Sequence, residues 1–250
     1  MDKNSFLYKV RHSTSHLLAH AITEMYPDAK LTLGPATETG FFYDFYLPNP
    51  LKESDLPVIE GKMREIASRK IKISGKQISK KEALELYKNN KFKTEIINGI
   101  DSETVGIYSQ DNFFDLCEGG HVESTDQLQH FKLMAVAGSY WRANKKNTQL
   151  QRVSGVAFGT AKELRTYLKQ VEEAKKYDHR VVGKKLDLFS FHPEAPGMPF
   201  FHDKGLKIFN KLIEHARNLQ CKAGYQEIQT PLVLDQQLWK TSGHYDNYKE

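Results

Sequence analysis

Cysteine is scarce in this 250-residue chain, which has only Cys117 and Cys221. Two are too few for a disulfide scaffold, so a reducing cytoplasm is the simplest address. Long apolar runs are absent: none approaches the ~20 residues that span a bilayer. The opening stretch MDKNSFLYKVRH lacks the apolar core of a secretory signal, and no membrane partner is expected. There is no internal repeat and no low-complexity tract. What remains is ordinary soluble composition, 39% apolar and 27% charged, enough for one large domain or two modest ones. A formal net charge of +5 permits a polyanionic partner such as RNA without requiring one.

Apolar spacing through Leu7, Val10, Leu17, Leu18, Ile22 and Met25 predicts a first helix from about Asn4 to Tyr26, closed by Pro27-Asp28. KLTLGP (30–35) and the aromatic GFFYDFYL (40–47) read as strands joined by a turn. A helix over 56–69 has Ser54 or Asp55 as its cap; 70–79 is strand-like and 80–90 a short helix. TEIING, VGIYSQ and NFFDLC read as short strands, 128–142 as a strand kinked at Gly138, and 148–159 as the last strand of this region. The mixture is not a βαβ repeat, so the expected fold class is α+β with a largely antiparallel sheet. Residues 160–186 form one long charged helix, whose plain reading is a solvated connector. FSFHPEAPGMPFFHDKG (189–205) reads as a boundary loop, 206–223 as an amphipathic helix stopped by Gly224, and YQEIQTPLVLD as a strand. No further element is evident before Glu250.

RHSTSHLLAH places His12, His16 and His20 at i, i+4 and i+8, stacked along one helical face. About a hundred residues later DLCEGGHV (115–122) brings Cys117 and His121, four apart, with Asp115 on the cysteine's side of a strand. H-x3-H with C-x3-H offers a tetrahedral zinc set. The same groups can instead surround a substrate and pass protons to water. Taken singly, a helical histidine is most often a satisfied boundary residue and a lone cysteine a small buried one. His20 keeps that plain reading.

RHSTSHLLAHA, LGPATETGFFYDF, DLCEGGHV, HFKLMAVAGSYWR and LQRVSGVAF together resemble the editing domain of bacterial threonyl-tRNA synthetases, a domain whose HxxxH and CxxxH signature is shared with alanyl-tRNA synthetases. DHRVVGKKLDLF and EAPGMPFFHDKG resemble the linker and the opening of the class II catalytic domain, and YQEIQTPLVLDQQLWKTSGHYDNYKE resembles motif 1 and the segment just after it. The resemblance implies an editing domain over 1–160 with a long His-bearing helix, a charged linker helix over 161–188, and the truncated start of a class II synthetase domain over 189–250. Three departures stand out. The family's small ubiquitin-like N-terminal domain is absent. The chain stops just past motif 1, so the family's ATP-holding motifs 2 and 3 and its catalytic-domain zinc ligands are missing. Gly120 stands where many relatives carry proline, which loosens the turn presenting His121.

Serine is threonine minus a methyl, and one methyl in a pocket is worth only ~1–3 kcal/mol of discrimination. The family therefore removes serine from mischarged tRNA(Thr) at a second, hydrolytic site. The resemblance implies that His12, His16, Cys117 and His121 line that site, with Lys93 (from the short match FKTEI), Asp115, Tyr43 and Tyr108 contributing. His12 would orient or deprotonate water, His121 and Lys93 would steady the ester oxygen, and His16 and Asp115 would hold the others. Tyr43 and Tyr108 would stack on the terminal adenine. Editing would need no metal, although the same four ligands are open to zinc. ATP, magnesium and zinc belong to parts of the family enzyme not present here. The implied partners are tRNA(Thr), above all its aminoacylated 3′ end, and a second copy through motif 1 around Pro231. Lys169, Lys175, Lys176, Arg180, Lys184 and Lys185 would follow the tRNA phosphates. The competing readings are a free-standing deacylase acting in trans and a tRNA-binding module without chemistry.

Overall fold

Helix α1 (Phe6–Met25) starts where the Ser5 hydroxyl accepts the Tyr8 N–H, and Pro27 cannot continue it. In the computed structural model, Asp2 and residues 5–248 are described. Asn4, the expected start of α1, and residues 249–250 lie outside the described residues. Two units divide the chain, Met1–Val171 and Glu172–Glu250.

In the first unit α1 is followed by β1 (Lys30–Leu31), β2 (Gly40–Tyr46), α2 (Leu56–Ser68), β3 (Ser74–Ser79), α3 (Lys80–Leu86), α4 (Lys91–Asn98), β4 (Thr104–Gln110), β5 (Phe113–Leu116), β6 (Phe131–Tyr140), β7 (Gln149–Ala157) and the start of α5 (Ala161–Lys176). The strands form two antiparallel sheets, β1-β2-β7-β6 and β3-β4-β5. The expected α+β class and antiparallel pairing hold.

Strand alternation sends Phe41, Tyr43 and Phe45 to one face of β2, where none is more than 2% exposed. They share one core with Leu17, Leu18 and Ile22 of α1 and with Ile59, Met63 and Ile66 of α2. Burying each large side chain contributes roughly 1.5–3 kcal/mol. Buried Arg11 ties α1 down further, donating to the Glu38 and Ala157 carbonyls and lying over the Phe158 ring. The polar side of α1 is buried as well: Ser13, Thr14, Ser15, His16 and His20 are at most 5% exposed. Each hydroxyl in that run has a partner, such as the Gly34 carbonyl for Ser15.

Several local expectations are corrected. TEIING is not a strand but the end of α4, because the Asn90 carboxamide caps the Phe92 and Lys93 N–H groups and helical spacing then sends Phe92 with Ile96 to one apolar cluster and Ile97 to another. The irregularity of β6 falls between Leu133 and Ala135, not at Gly138. Asp55 occupies the N-cap position of α2, but its carboxylate accepts the Lys52 N–H instead. The charged 160–186 stretch is two helices, α5 and α6 (His179–Lys185), because Asp178 caps a new start at the Arg180 N–H.

In the second unit the expected boundary loop contains a hairpin, β8 (Phe189–Ser190) with β9 (Phe200–Phe201), ahead of α7 (Asp203–Lys222). His202 fixes it, with Nδ1 at 2.7 Å from Asp187 Oδ1 and Nε2 at 2.9 Å from Ser190 Oγ. Gly205 is needed because a Cβ there would sit 1.9 Å from the Leu188 carbonyl oxygen. YQEIQTPLVLD is not a strand: it has no ladder partner among the described residues, and Ile228 and Val233 are 81% and 89% exposed. α8 (Gln236–Thr241) and α9 (His244–Asn247) follow where no element was expected.

Phe45→Ala is expected to cost about 3–5 kcal/mol in denaturant unfolding, because the ring is fully enclosed between sheet and helices. A cost below about 1 kcal/mol would contradict this placement of the core.

Candidate active site

Four elements of the first unit converge on one carboxylate. Asp115, on β5, is 1% exposed. The Tyr43 hydroxyl of β2 donates to its Oδ2 at 2.5 Å, and the Lys93 ammonium of α4 lies 2.5 Å from its Oδ1. His16 of α1 completes the ring, with Nδ1 at 3.8 Å from Oδ2, an electrostatic contact too long for a hydrogen bond. Lys93 also reaches the Tyr43 oxygen at 3.3 Å. A buried carboxylate without these partners would cost several kcal/mol. With them it is neutralised, and both the burial and the adjacent Asp115 charge push the Tyr43 hydroxyl well above its usual range.

In front of this cluster stand the two sequence motifs. Cys117 Sγ lies 3.5 Å from His12 Nε2 and 3.1 Å from His121 Nε2. The His12 and His121 rings stack at 4.4 Å, and His16 meets both edge-on at 5.0 and 4.6 Å. Tyr108 of β4, paired in register with Asp115, leans over His121 at 4.6 Å. All eight residues expected for the site are therefore together. Lys93, Tyr43, His16 and Asp115 form its buried floor, while His12, Cys117, His121 and Tyr108 are half-buried at its mouth. His20 is set apart, with the Phe113 ring between it and His16.

The turn that carries Cys117 to His121 depends on glycine. Gly119 and Gly120 have φ of +112° and +84°, and a Cβ on Gly119 would lie 2.6 Å from the Tyr108 hydroxyl. Proline, locked near −65°, cannot take the Gly120 conformation, so this turn is built differently from one with proline there.

Ser13 is a member that sequence reasoning missed. Its hydroxyl accepts the Val122 N–H at 3.0 Å and meets His121 Nδ1 at 3.1 Å, which fixes the ring. The signal was a run of small polar residues, Ser13 to Ser15, inside an otherwise apolar helix.

Burial sets the electrostatics. It lowers the His16 pKa well below the ordinary imidazole value, with His12 and Lys93 adding to the effect. It lowers His121 as well, with His16 and His12 outweighing the opposing pull of Asp115. Burial pushes the Cys117 thiol up to about 11, against a backbone N–H from Gly119. At neutral pH His16, His121 and the thiol are thus uncharged, and the Lys93–Asp115 pair balances itself. Neutral groups of this kind can exchange protons with a bound water. The donor set also fits a metal: the ligand atoms of His12, His16, Cys117 and His121 lie within 4.8 Å of one another. Tetrahedral zinc with ~2.0–2.3 Å bonds needs edges of roughly 3.3–3.8 Å.

Residues 105–154 match the family described as threonyl and alanyl tRNA synthetase second additional domain. That span holds Tyr108, Asp115, Cys117 and His121; His12, His16, Tyr43 and Lys93 join them only through the fold. The threonine–tRNA ligases of Desulforapulum autotrophicum and Desulfatibacillum aliphaticivorans are 47% and 49% identical over 96% of this chain. That of Francisella tularensis subsp. novicida is 45% identical, again over 96%. The chain is similar, over nearly its whole length, to part of these threonine–tRNA ligases. It spans 38% of the length of each of these relatives. No helix among the described residues is long and apolar enough to cross a membrane.

Removing one partner of the buried pair should be severe. Lys93→Met is expected to destabilise the chain by about 3–5 kcal/mol, and the double variant with Asp115→Asn to recover most of that loss. Equal losses in the single and double variants would show that the pair is not what matters. The imidazoles give a pH prediction. Unfolded histidines titrate near ~6.5, whereas His16 and His121 in the fold bind protons only at lower pH. The unfolded state therefore takes up protons first as pH falls. Their contribution to stability is complete above pH ~6.5 and shrinks below it. The urea midpoint should be level between pH 7 and 8 and decline from about 6.5 to 5, less steeply in a His16→Asn/His121→Asn variant.

Proposed function

We propose that this chain is the proofreading part of a threonine–tRNA ligase and hydrolyses the ester of seryl-tRNA(Thr). One observation carries the reading: two imidazoles and a thiol meet at a half-buried mouth, above a buried floor of a third imidazole and a charge-balanced carboxylate. Water attacks the seryl carbonyl carbon while His12 takes its proton, and the proton passes to the ribose oxygen as the ester bond breaks. His121, steered by Ser13, donates to the carbonyl oxygen as negative charge develops there. Lys93, only 2% exposed, acts through its field and by holding Asp115 and Tyr43, and His16 packs the two mouth histidines. Tyr108, half-buried beside His121, offers a stacking surface for the terminal adenine; Tyr43, enclosed in the core, orients Asp115 instead. Cys117, a protonated thiol at neutral pH, is not the nucleophile. The reaction so written needs no metal. If zinc is bound, His12, His16, Cys117 and His121 would hold it, and it would supply Lewis acidity.

We read residues 1–160 as the editing domain, 161–188 as a linker and 189–250 as the start of the ligase's class II domain, with Pro231 at a dimer surface. Exposed Lys169, Lys175, Lys176, Lys184 and Lys185 on α5 and α6 suit a path for tRNA phosphates. Arg180 is held by Asp178 at 2.7 Å and contributes less. The stretch resembling motif 1 favours a ligase piece over a free-standing deacylase, which has no use for it.

Incubating the purified chain with seryl- and threonyl-tRNA(Thr) tests this. Selective release of serine is expected, to survive exhaustive chelation, and to fall by about 10²-fold or more in His12→Ala. Equal release of both amino acids, or binding without release, would refute the proposal.

A further inference from the structure

His20 lies one turn beyond His16, takes no part in the chemistry above and is fully enclosed. Its surroundings nonetheless lead back to the site by two routes. Gln110, 2% exposed, places Nε2 at 3.1 Å from His20 Nδ1 and 3.5 Å from the His16 carbonyl oxygen. The opposite amide orientation would set one oxygen against another, so Gln110 donates to both, and His20 Nδ1 is an acceptor. His20 Nε2 then carries the ring proton and faces Glu24 Oε1 at 3.0 Å, in poor hydrogen-bond alignment. Glu24 is itself held by Lys62 at 2.6 Å and Arg69 at 2.7 Å. The second route is the Phe113 ring, stacked on His20 at 5.1 Å and 15° and meeting His16 edge-on at 6.4 Å and 86°. A purely apolar packing residue would need neither a fixed tautomer nor an amide shared with the neighbouring turn.

We propose that His20 is a positioning residue for the hydrolytic site, fixing the ring orientation of His16 through the Phe113 ring stacked between them, while Gln110 holds His20 against the His16 main chain. This rests on His16 belonging to the site of the proposed deacylase. His16 in turn packs edge-on against His12 and His121, so a tilt of its ring moves both groups that handle the reacting atoms. The ion cluster around Glu24 anchors the arrangement from the surface, and α1 supplies the spacing.

The test uses the full chain, with His20→Leu, His20→Asn and Gln110→Leu. Asn keeps an acceptor where Nδ1 stood; Leu removes it. Three quantities are read: kcat and KM for seryl-tRNA hydrolysis, the imidazole nitrogen NMR signals of His16 (assigned with His16→Asn), and Tm. His20→Leu and Gln110→Leu are expected to lower kcat about tenfold at unchanged KM, as small misplacements of reacting groups do, and to shift the His16 signals. His20→Asn should return most of kcat and the original signals even if Tm stays low. Folded variants with kcat within twofold of the parent and unmoved His16 signals would overturn the proposal. So would a kcat loss that follows Tm without rescue by Asn, or a failure of all three variants to fold. If the parent chain hydrolyses no seryl-tRNA, the deacylase reading falls, while the His16 signals still decide whether His20 orients that ring.

Discussion

A single buried carboxylate joins the parts of the first unit. Asp115 comes from β5, its hydroxyl partner Tyr43 from β2, its cation Lys93 from α4, and His16 approaches from α1. These belong to two sheets and two helices that are far apart in sequence. A buried pair of this kind adds little net stability over an apolar replacement, since desolvation offsets the attraction. Its force lies in the alternatives it forbids. A shift of β5 by one residue would turn Asp115 to the opposite face, leaving Lys93 closed in without a counter-charge. The register of β5 against β4, Tyr108 opposite Asp115, is thus bound to the presence of Lys93 on a helix outside that sheet.

This constraint also answers why a helix should carry three histidines on one face. Spacing puts them in line, but the environment divides them. His12 reaches the half-open mouth, His16 lies on the floor, and His20 is separated from both by Phe113. What differs is the partner each meets: Cys117 for His12, the Asp115 cluster for His16, Gln110 for His20. Identical side chains at equal intervals thereby take up different work, set by what β4, β5 and the glycine turn present to each level of α1.

Much of this was legible in the sequence. The apolar stripe of α1, the aromatic alternation of β2 and the paired H-x3-H and C-x3-H spacings are local patterns, and local patterns survive into structure. The convergence of Lys93 was not legible from spacing; it came only from resemblance, because a lysine inside FKTEI carries no sign of burial. TEIING misled because two adjacent isoleucines favour extended backbone, while the decisive signal, the Asn90 cap, lies just outside that segment. YQEIQTPLVLD misled for the opposite reason. Its composition suits a strand, but a strand also needs a neighbour, and within the described residues none is offered. The break near Asp178 was hidden inside a continuous charge pattern that both helices share.

The burial that makes the mouth suitable for proton transfer also weighs on its other chemistries. Closing Cys117 in raises its thiol to about 11, so at neutral pH the sulfur is a weak hydrogen-bond partner for His12 and His121, not a thiolate nucleophile. A metal ion would have to draw that proton off before gaining the sulfur as a ligand, so part of its binding free energy is offset by the deprotonation. The imidazoles pull the other way. His16 and His121 are held neutral well below their usual range, which spares a metal any competition from protons. The thiol therefore sets the balance, and its setting comes from the same enclosure by β5 and the Gly119–Gly120 turn that brings His121 over it. The Gly119 N–H in that same turn pulls the thiol back down, so enclosure and turn act on the sulfur in opposite directions.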